Sequence, residues 1–148
     1  MNIAGLPAHA LVIHAAVVFG PLAALLALAY ALVPRWRERV RLPMVVLAVV
    51  AGLCVVAAYL TGNDLLDNNP QLGQIPAVQT HEDRAAYALW LTIAFAVVAV
   101  ASTLLHRRTG AVRVVLSVVL AVSAISVLVS VILTGDAGAQ AVWGGLNT

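Results

Sequence analysis

Four long apolar runs alternate with short polar segments along the chain. The runs cover about residues 8–33, 42–60, 85–105 and 114–134. A membrane-spanning helix needs about 20 predominantly apolar residues. Backbone groups in lipid must form hydrogen bonds within their own segment, so each run is predicted to be a helix. The pattern predicts an all-α bundle of four transmembrane helices, with residues 1–148 forming a single integral membrane domain.

The polar segments between the runs differ in charge. Lysine is absent, and seven of the eight arginines lie in segments 34–41 and 106–113: Arg35, Arg37, Arg39, Arg41, Arg107, Arg108 and Arg113. Positive residues near spans favour the cytoplasmic side. We therefore expect these segments in the cytoplasm, and both termini and segment 61–84 outside. Their shortness also predicts two antiparallel helical hairpins.

Composition narrows the range of functions. The chain is 63% hydrophobic and only 9% charged, whereas soluble domains carry about 25% charged residues. Charge this sparse argues against nucleic-acid binding. Cys54 is the only cysteine, which excludes a multi-cysteine metal site. The sequence also has no catalytic triad, P-loop or dinucleotide fingerprint, so we do not expect an enzyme.

The two halves of the chain resemble each other. Tyr59–Asp64, at the end of the second run, resembles Ile132–Ala137, which ends the fourth run 73 positions later. A shift of nearly the same length brings His9 to His81, just before the third run. A duplication with equal orientation implies a pseudo-twofold axis along the membrane normal. We therefore expect two related hairpins whose outer helix ends surround one centre.

Histidines and acids near the outer helix ends are the candidate functional residues. His14 lies inside the first span, where an ionisable group is costly and indicates function by default. It follows His9 by five positions, which rotates it about 140° around a helix. His9, His14 and His81 are also explained as structural histidines bonded to carbonyls or exposed at helix ends. Asp136 is likewise explained as an ordinary acid in an outer connection.

The functional alternative is a haem or metal site at the outer face, because imidazole suits iron, copper and zinc. In this interpretation His14 and His81 are the axial ligands of a b-type haem, and His9 is a further ligand or part of the site wall. Asp136 then accepts a hydrogen bond from a ligand. Without haem, His9, His14, His81 and Asp136 form a mixed set for a metal ion.

The opening segment Gly5–Ala15 resembles that of a bacterial membrane family called domain of unknown function 2231. The similarity continues at Val33–Arg37, at Thr61–Gly62, at His81 and at Gly138–Gly144. This resemblance implies a four-helix protein of the bacterial inner membrane. Some relatives are joined to Rieske-type domains, which implies electron transfer. The chain departs from the family pattern at Ala10, where proline is usual, and at Asp136, where many relatives carry histidine.

Three functions stay open on the sequence. The leading one is an outer-side histidine site that holds b-haem or a metal for electron transfer in a respiratory or redox complex. The first alternative is a non-catalytic accessory or assembly subunit, and the second is a channel or transporter for protons or a small solute. The expected partners are the lipid bilayer and other membrane or redox proteins, with a homodimer as one further arrangement.

Overall fold

The computed structural model describes residues 2–3 and 6–144. Residues 1, 4–5 and 145–148, which include Gly5 of the opening motif, lie outside the described residues. Four helices account for most of the fold: α1 (Ala8–Leu32), α2 (Arg37–Asn68), α3 (Pro76–Leu104) and α4 (Gly110–Trp143). Before α1, the two-residue strands β1 (Asn2–Ile3) and β2 (Leu6–Pro7) pair antiparallel. All four helices are long and apolar enough to cross a membrane, which confirms the predicted four-span α-helical fold.

The helices extend beyond the apolar runs that predicted them. α2 continues to Asn68 and α4 to Trp143, because hydropathy marks the part in lipid and not the point where helical hydrogen bonding stops. In α2 that point is Asn69, which has non-helical backbone angles and precedes Pro70, a residue that disfavours helix before it. Pro76 then begins α3, in a position that proline favours. The expected outer loop 61–84 is therefore mostly helical, and the connection shrinks to residues 69–75.

Each helix packs on its neighbours in the chain, and α1 also packs on α4. This arrangement places α1 and α3 at opposite corners of the bundle. The helices run antiparallel, so the α1–α2 and α3–α4 connections share one end, which we call the arginine end after its arginines at positions 35–41 and 107–113. The start of α1, the α2–α3 connection and the end of α4 share the other end, which we call the histidine end after His9 and His81.

The interior of the bundle is built largely from small side chains. Ala23, Ala24, Ala27, Ala48 and Ala99 are fully buried, and small residues let helix backbones approach closely in membranes. The largest fully buried side chains fill the remaining space: Phe95, Met44, Leu120, Val127 and Thr92. Larger aliphatic side chains cover the outer surface of the helices, which suits contact with lipid.

The buried positions reveal the register of the internal repeat. Positions in α1 recur 72 residues later in α3, and positions in α2 recur 76 residues later in α4. Corresponding buried pairs are Ala16 with Ala88, Ala23 with Phe95, Ala27 with Ala99, Met44 with Leu120, Ala48 with Ala124, and Ala51 with Val127. The two hairpins are therefore related, as predicted. The predicted shift of 73 for the second pair of helices is wrong, because the offset between the halves grows by four residues at the arginine end. The α3–α4 connection is one residue longer than the α1–α2 connection, and α4 begins three positions earlier in the repeat than α2 does.

Candidate functional site

His9 and His81 meet at the histidine end. His9 lies in the first turn of α1, and His81 lies in the second turn of α3. Their ring centres are 6.5 Å apart and their ring planes are inclined at 76°. Both side chains are half-buried. Since α1 and α3 stand at opposite corners, the two imidazoles reach towards each other across the bundle.

Each imidazole is fixed by a carbonyl of the partner helix in its own hairpin. His9 Nδ1 lies 2.9 Å from the Ala58 carbonyl oxygen on α2, and His81 Nδ1 lies 3.0 Å from the Thr134 carbonyl oxygen on α4. A carbonyl only accepts, so each Nδ1 carries the proton and donates it. In the neutral ring, Nε2 then keeps its lone pair. Metal-binding histidines in proteins are commonly oriented in this way.

Two glycines provide the space for these rings. A Cβ on Gly62 would lie 3.2 Å from His9 Cε1, and a Cβ on Gly138 would lie 3.1 Å from His81 Cε1. These separations are shorter than ordinary van der Waals contact, so any other residue would displace the ring. The two glycines are 76 positions apart, in agreement with the register of the buried core. The predicted shift of 73 positions pairs Gly62 with Gly135 instead. A Cβ added at Gly135 would meet nothing within 4 Å, so Gly135 does not contact a histidine ring as Gly62 does.

The His9 half and the His81 half of the site differ in the hydrogen bonding of the threonines near the two carbonyls. Thr61 Oγ1 donates to the carbonyls of Ala57 and Ala58 and lies 3.4 Å from His9 Nδ1. Thr134 Oγ1, beside the carbonyl that holds His81, is buried without a hydrogen-bond partner among the described residues. A buried hydroxyl left in this state costs about 1–3 kcal/mol. The His81 side is therefore the less satisfied half of the site.

His14 is not brought to the pair. Its side chain is exposed on the outer surface of α1, and its Nδ1 is hydrogen-bonded to the carbonyl of Ala10 in the same helix. The rotation of about 140° from His9 explains this placement. The geometry replaces the predicted pairing of His14 with His81 by a pairing of His9 with His81, and His14 has the local backbone bond expected of a structural histidine.

Asp136 interacts with residues other than the two histidines. Its carboxylate lies 3.6 Å from Arg84 Nη1 and accepts a hydrogen bond of 2.9 Å from Gln140 Nε2. Arg84 donates in addition to the Leu133 carbonyl. Across residues 2–3 and 6–144, no group of three or more histidine, cysteine or acidic side chains is assembled for a metal ion. The predicted set of His9, His14, His81 and Asp136 is therefore not assembled at one place, and the imidazoles of His9 and His81 are the two groups of that set that meet.

Sequence reasoning named His9 and His81 as candidates but preferred His14 as the partner of His81, and it missed Gly62 with Gly138 and the two carbonyls. A signal for the correct register was present, because Arg37 and Arg113 are separated by the same 76 positions as the two glycines. Backbone carbonyls, by contrast, leave no trace in the residue types of a sequence.

Comparison with known proteins identifies the family of the chain. A family model described as a predicted membrane protein, domain of unknown function 2231, matches residues 5–145. No curated protein matches the chain, and no solved structure matches it. The matched range includes all four spans, both histidines and both glycines of the pair. The chain therefore belongs to the domain of unknown function 2231 family of predicted membrane proteins.

Proposed function

We propose that this protein is a small electron-transfer protein of the bacterial cytoplasmic membrane, in which His9 and His81 bind a redox metal. The supporting observation is the pair of imidazoles 6.5 Å apart, each with Nδ1 held by a carbonyl and Nε2 left as the ligand atom. The metal is haem iron in the leading form of the proposal and a single transition-metal ion in the second form. In both forms the imidazoles of His9 and His81 would bind the metal.

The spacing of the rings fits this chemistry. Imidazole nitrogen binds a metal at about 2.0–2.1 Å and lies about 1.2 Å from the ring centre, so two rings sharing one ion have centres at most about 6.5 Å apart. The observed 6.5 Å is at this limit. His9 and His81 would therefore be close enough to hold one metal between them.

The number of protein ligands favours haem over a bare ion. A bare ion needs further ligands, and the described residues supply no third histidine, cysteine or acid at the pair. Haem needs only axial ligands from the protein, because the macrocycle supplies the rest. His9 and His81 would hold the haem iron, and the haem would supply one-electron redox chemistry.

The location of His9 and His81 suits electron exchange with a partner protein. His9 and His81 lie at the histidine end, close to the helix ends and away from the middle of the spans. In the orientation that the arginines predict, this end faces outward. We infer that a redox protein or another subunit of a respiratory membrane complex exchanges electrons with the centre from that side.

The bundle interior supports electron transfer better than transport. The largest fully buried side chains are Phe95, Met44, Leu120, Val127 and Thr92, and only Thr92 is polar. A proton relay normally needs a chain of ionisable groups through the membrane. His14, the histidine placed inside a span by the sequence, is exposed on the outer surface of α1. The described residues therefore offer no chain of ionisable groups through the bundle for a proton to follow.

The test is an absorption spectrum of the purified protein in mild detergent, oxidised and reduced, with metal analysis of the same sample. We expect a Soret band and sharp reduced bands that are lost in His9→Ala and in His81→Ala. His14→Ala is the matched control and should keep the spectrum. Stoichiometric metal without haem bands would select the bare-ion form. A colourless, metal-free protein from haem-replete cells would refute the proposal and favour an accessory subunit.

A further inference from the structure

A partly open cleft lies at the arginine end, where α1 and α3 end and α2 and α4 begin. Three arginines line it, Arg37, Arg108 and Arg113, together with Tyr30, His106 and Ser117. The cleft is separated from the histidine pair by the length of the bundle. Its chemistry is therefore independent of the proposed redox centre.

Arg37 is held rigidly across three helices. Its Nε donates to the Tyr30 carbonyl, and its Nη2 donates to the Ala31 carbonyl and to Ser117 Oγ. The guanidinium carbon also lies 5.4 Å from the centre of the Tyr30 ring. Both hydrogens of Nη2 are used, whereas the two on Nη1 have no acceptor among the described residues. Arg37 thus presents a fixed cation with two free donors.

The neighbouring acid does not neutralise this charge. Glu38 accepts from His106 Nε2 and pairs with Arg41 at 3.7 Å. His106 Nδ1 is in turn hydrogen-bonded to the Tyr30 hydroxyl at 2.9 Å. Within residues 6–144, none of the three arginines that line the cleft forms an ion pair with a carboxylate. The cleft therefore concentrates three positive charges without an acidic partner.

We propose that this cleft binds a phosphate group, supplied by the headgroup of an acidic phospholipid or by free inorganic phosphate. A guanidinium matches phosphate oxygens with two parallel donors. Basic pockets between transmembrane helices commonly receive anionic headgroups. Arg37 is the preordered donor. Arg108, in the α3–α4 connection, and Arg113, in the first turn of α4, are exposed and close on the phosphate.

The experiment uses the full chain, purified in neutral detergent and freed of lipid. Native mass spectrometry measures binding of phosphatidylglycerol and of phosphatidylcholine at matched concentrations. The test variant is Arg108→Gln with Arg113→Gln, which leaves the Arg37 bonds between helices intact. The control variant is Arg35→Gln with Arg39→Gln, which removes the same charge at exposed positions outside the cleft.

We expect phosphatidylglycerol to bind more tightly than phosphatidylcholine. Each arginine near an acidic lipid contributes about fivefold, so the cleft variant should lose about 25-fold in affinity, while the control changes less than about twofold. Displacement by millimolar inorganic phosphate would show that the phosphate group alone is recognised, and tight lipid binding without displacement would identify the lipid headgroup. An equal loss in both variants, or no preference for the acidic lipid and no phosphate binding, would overturn the proposal.

Discussion

Alanine substitution at Gly138 tests whether the His81 ring packs directly against α4 at this glycine. The added Cβ would lie 3.1 Å from His81 Cε1 and 3.2 Å from Nδ1, so the ring must move by a few tenths of an ångström. That movement strains the 3.0 Å hydrogen bond from His81 Nδ1 to the Thr134 carbonyl. Overpacking of this kind costs about 1–3 kcal/mol.

Gly135→Ala is a matched control in the same helix. A Cβ at Gly135 meets nothing within 4 Å. Replacing glycine by alanine within a helix stabilises it by about 0.8–1.0 kcal/mol, and this gain applies to both variants. The difference between the two variants therefore isolates the contact with His81, and Gly138→Ala should be less stable than Gly135→Ala by about 1–3 kcal/mol.

The assay is the free energy of unfolding of each variant in detergent, measured by titration with sodium dodecyl sulfate. Gly62→Ala, which places a Cβ 3.2 Å from His9 Cε1, should behave as Gly138→Ala does. Equal stability of Gly138→Ala and Gly135→Ala would refute the close contact of His81 with α4.

Three further substitutions test other parts of the fold by the same titration. Tyr30→Phe removes the donor to the buried Ser102 carbonyl and should cost about 1–3 kcal/mol, whereas an unchanged stability would contradict that bond. Arg84→Gln breaks an exposed pair with Asp136 and should cost at most about 1 kcal/mol, so a larger loss would mean a stronger pair. Phe95→Ala empties a fully buried site and should cost about 3–5 kcal/mol, and a loss similar to that of Arg84→Gln would contradict its place in the core.

The fold could be predicted from the sequence because lipid allows few solutions. Runs of about 20 apolar residues must form helices in a membrane, and the short segment 34–41 leaves no alternative to an antiparallel hairpin. The ends of the helices could not be predicted from hydropathy. α2 passes through Thr61 and Gly62 without a break and stops only near Pro70, since glycine after an apolar run does not by itself end a helix.

The candidate site could be predicted only in part. Residue type and position indicated His9 and His81, and a shift of 72 positions related them correctly. The choice of His14 as a ligand followed from its depth in the span, although its rotation of about 140° from His9 separates it from the pair. The contacts of both rings with backbone carbonyls depend on how the hairpins pack, which no local pattern encodes.

The most direct test of the proposed metal centre at His9 and His81 is the number of imidazole nitrogens coupled to a bound metal. Pulsed electron paramagnetic resonance on the purified, oxidised protein measures this number. The account predicts two coupled imidazoles in the wild type and in His14→Ala, and loss of this signal in His9→Ala and in His81→Ala. Two coupled imidazoles that persist in His81→Ala, or no coupled imidazole in the wild type, would contradict it.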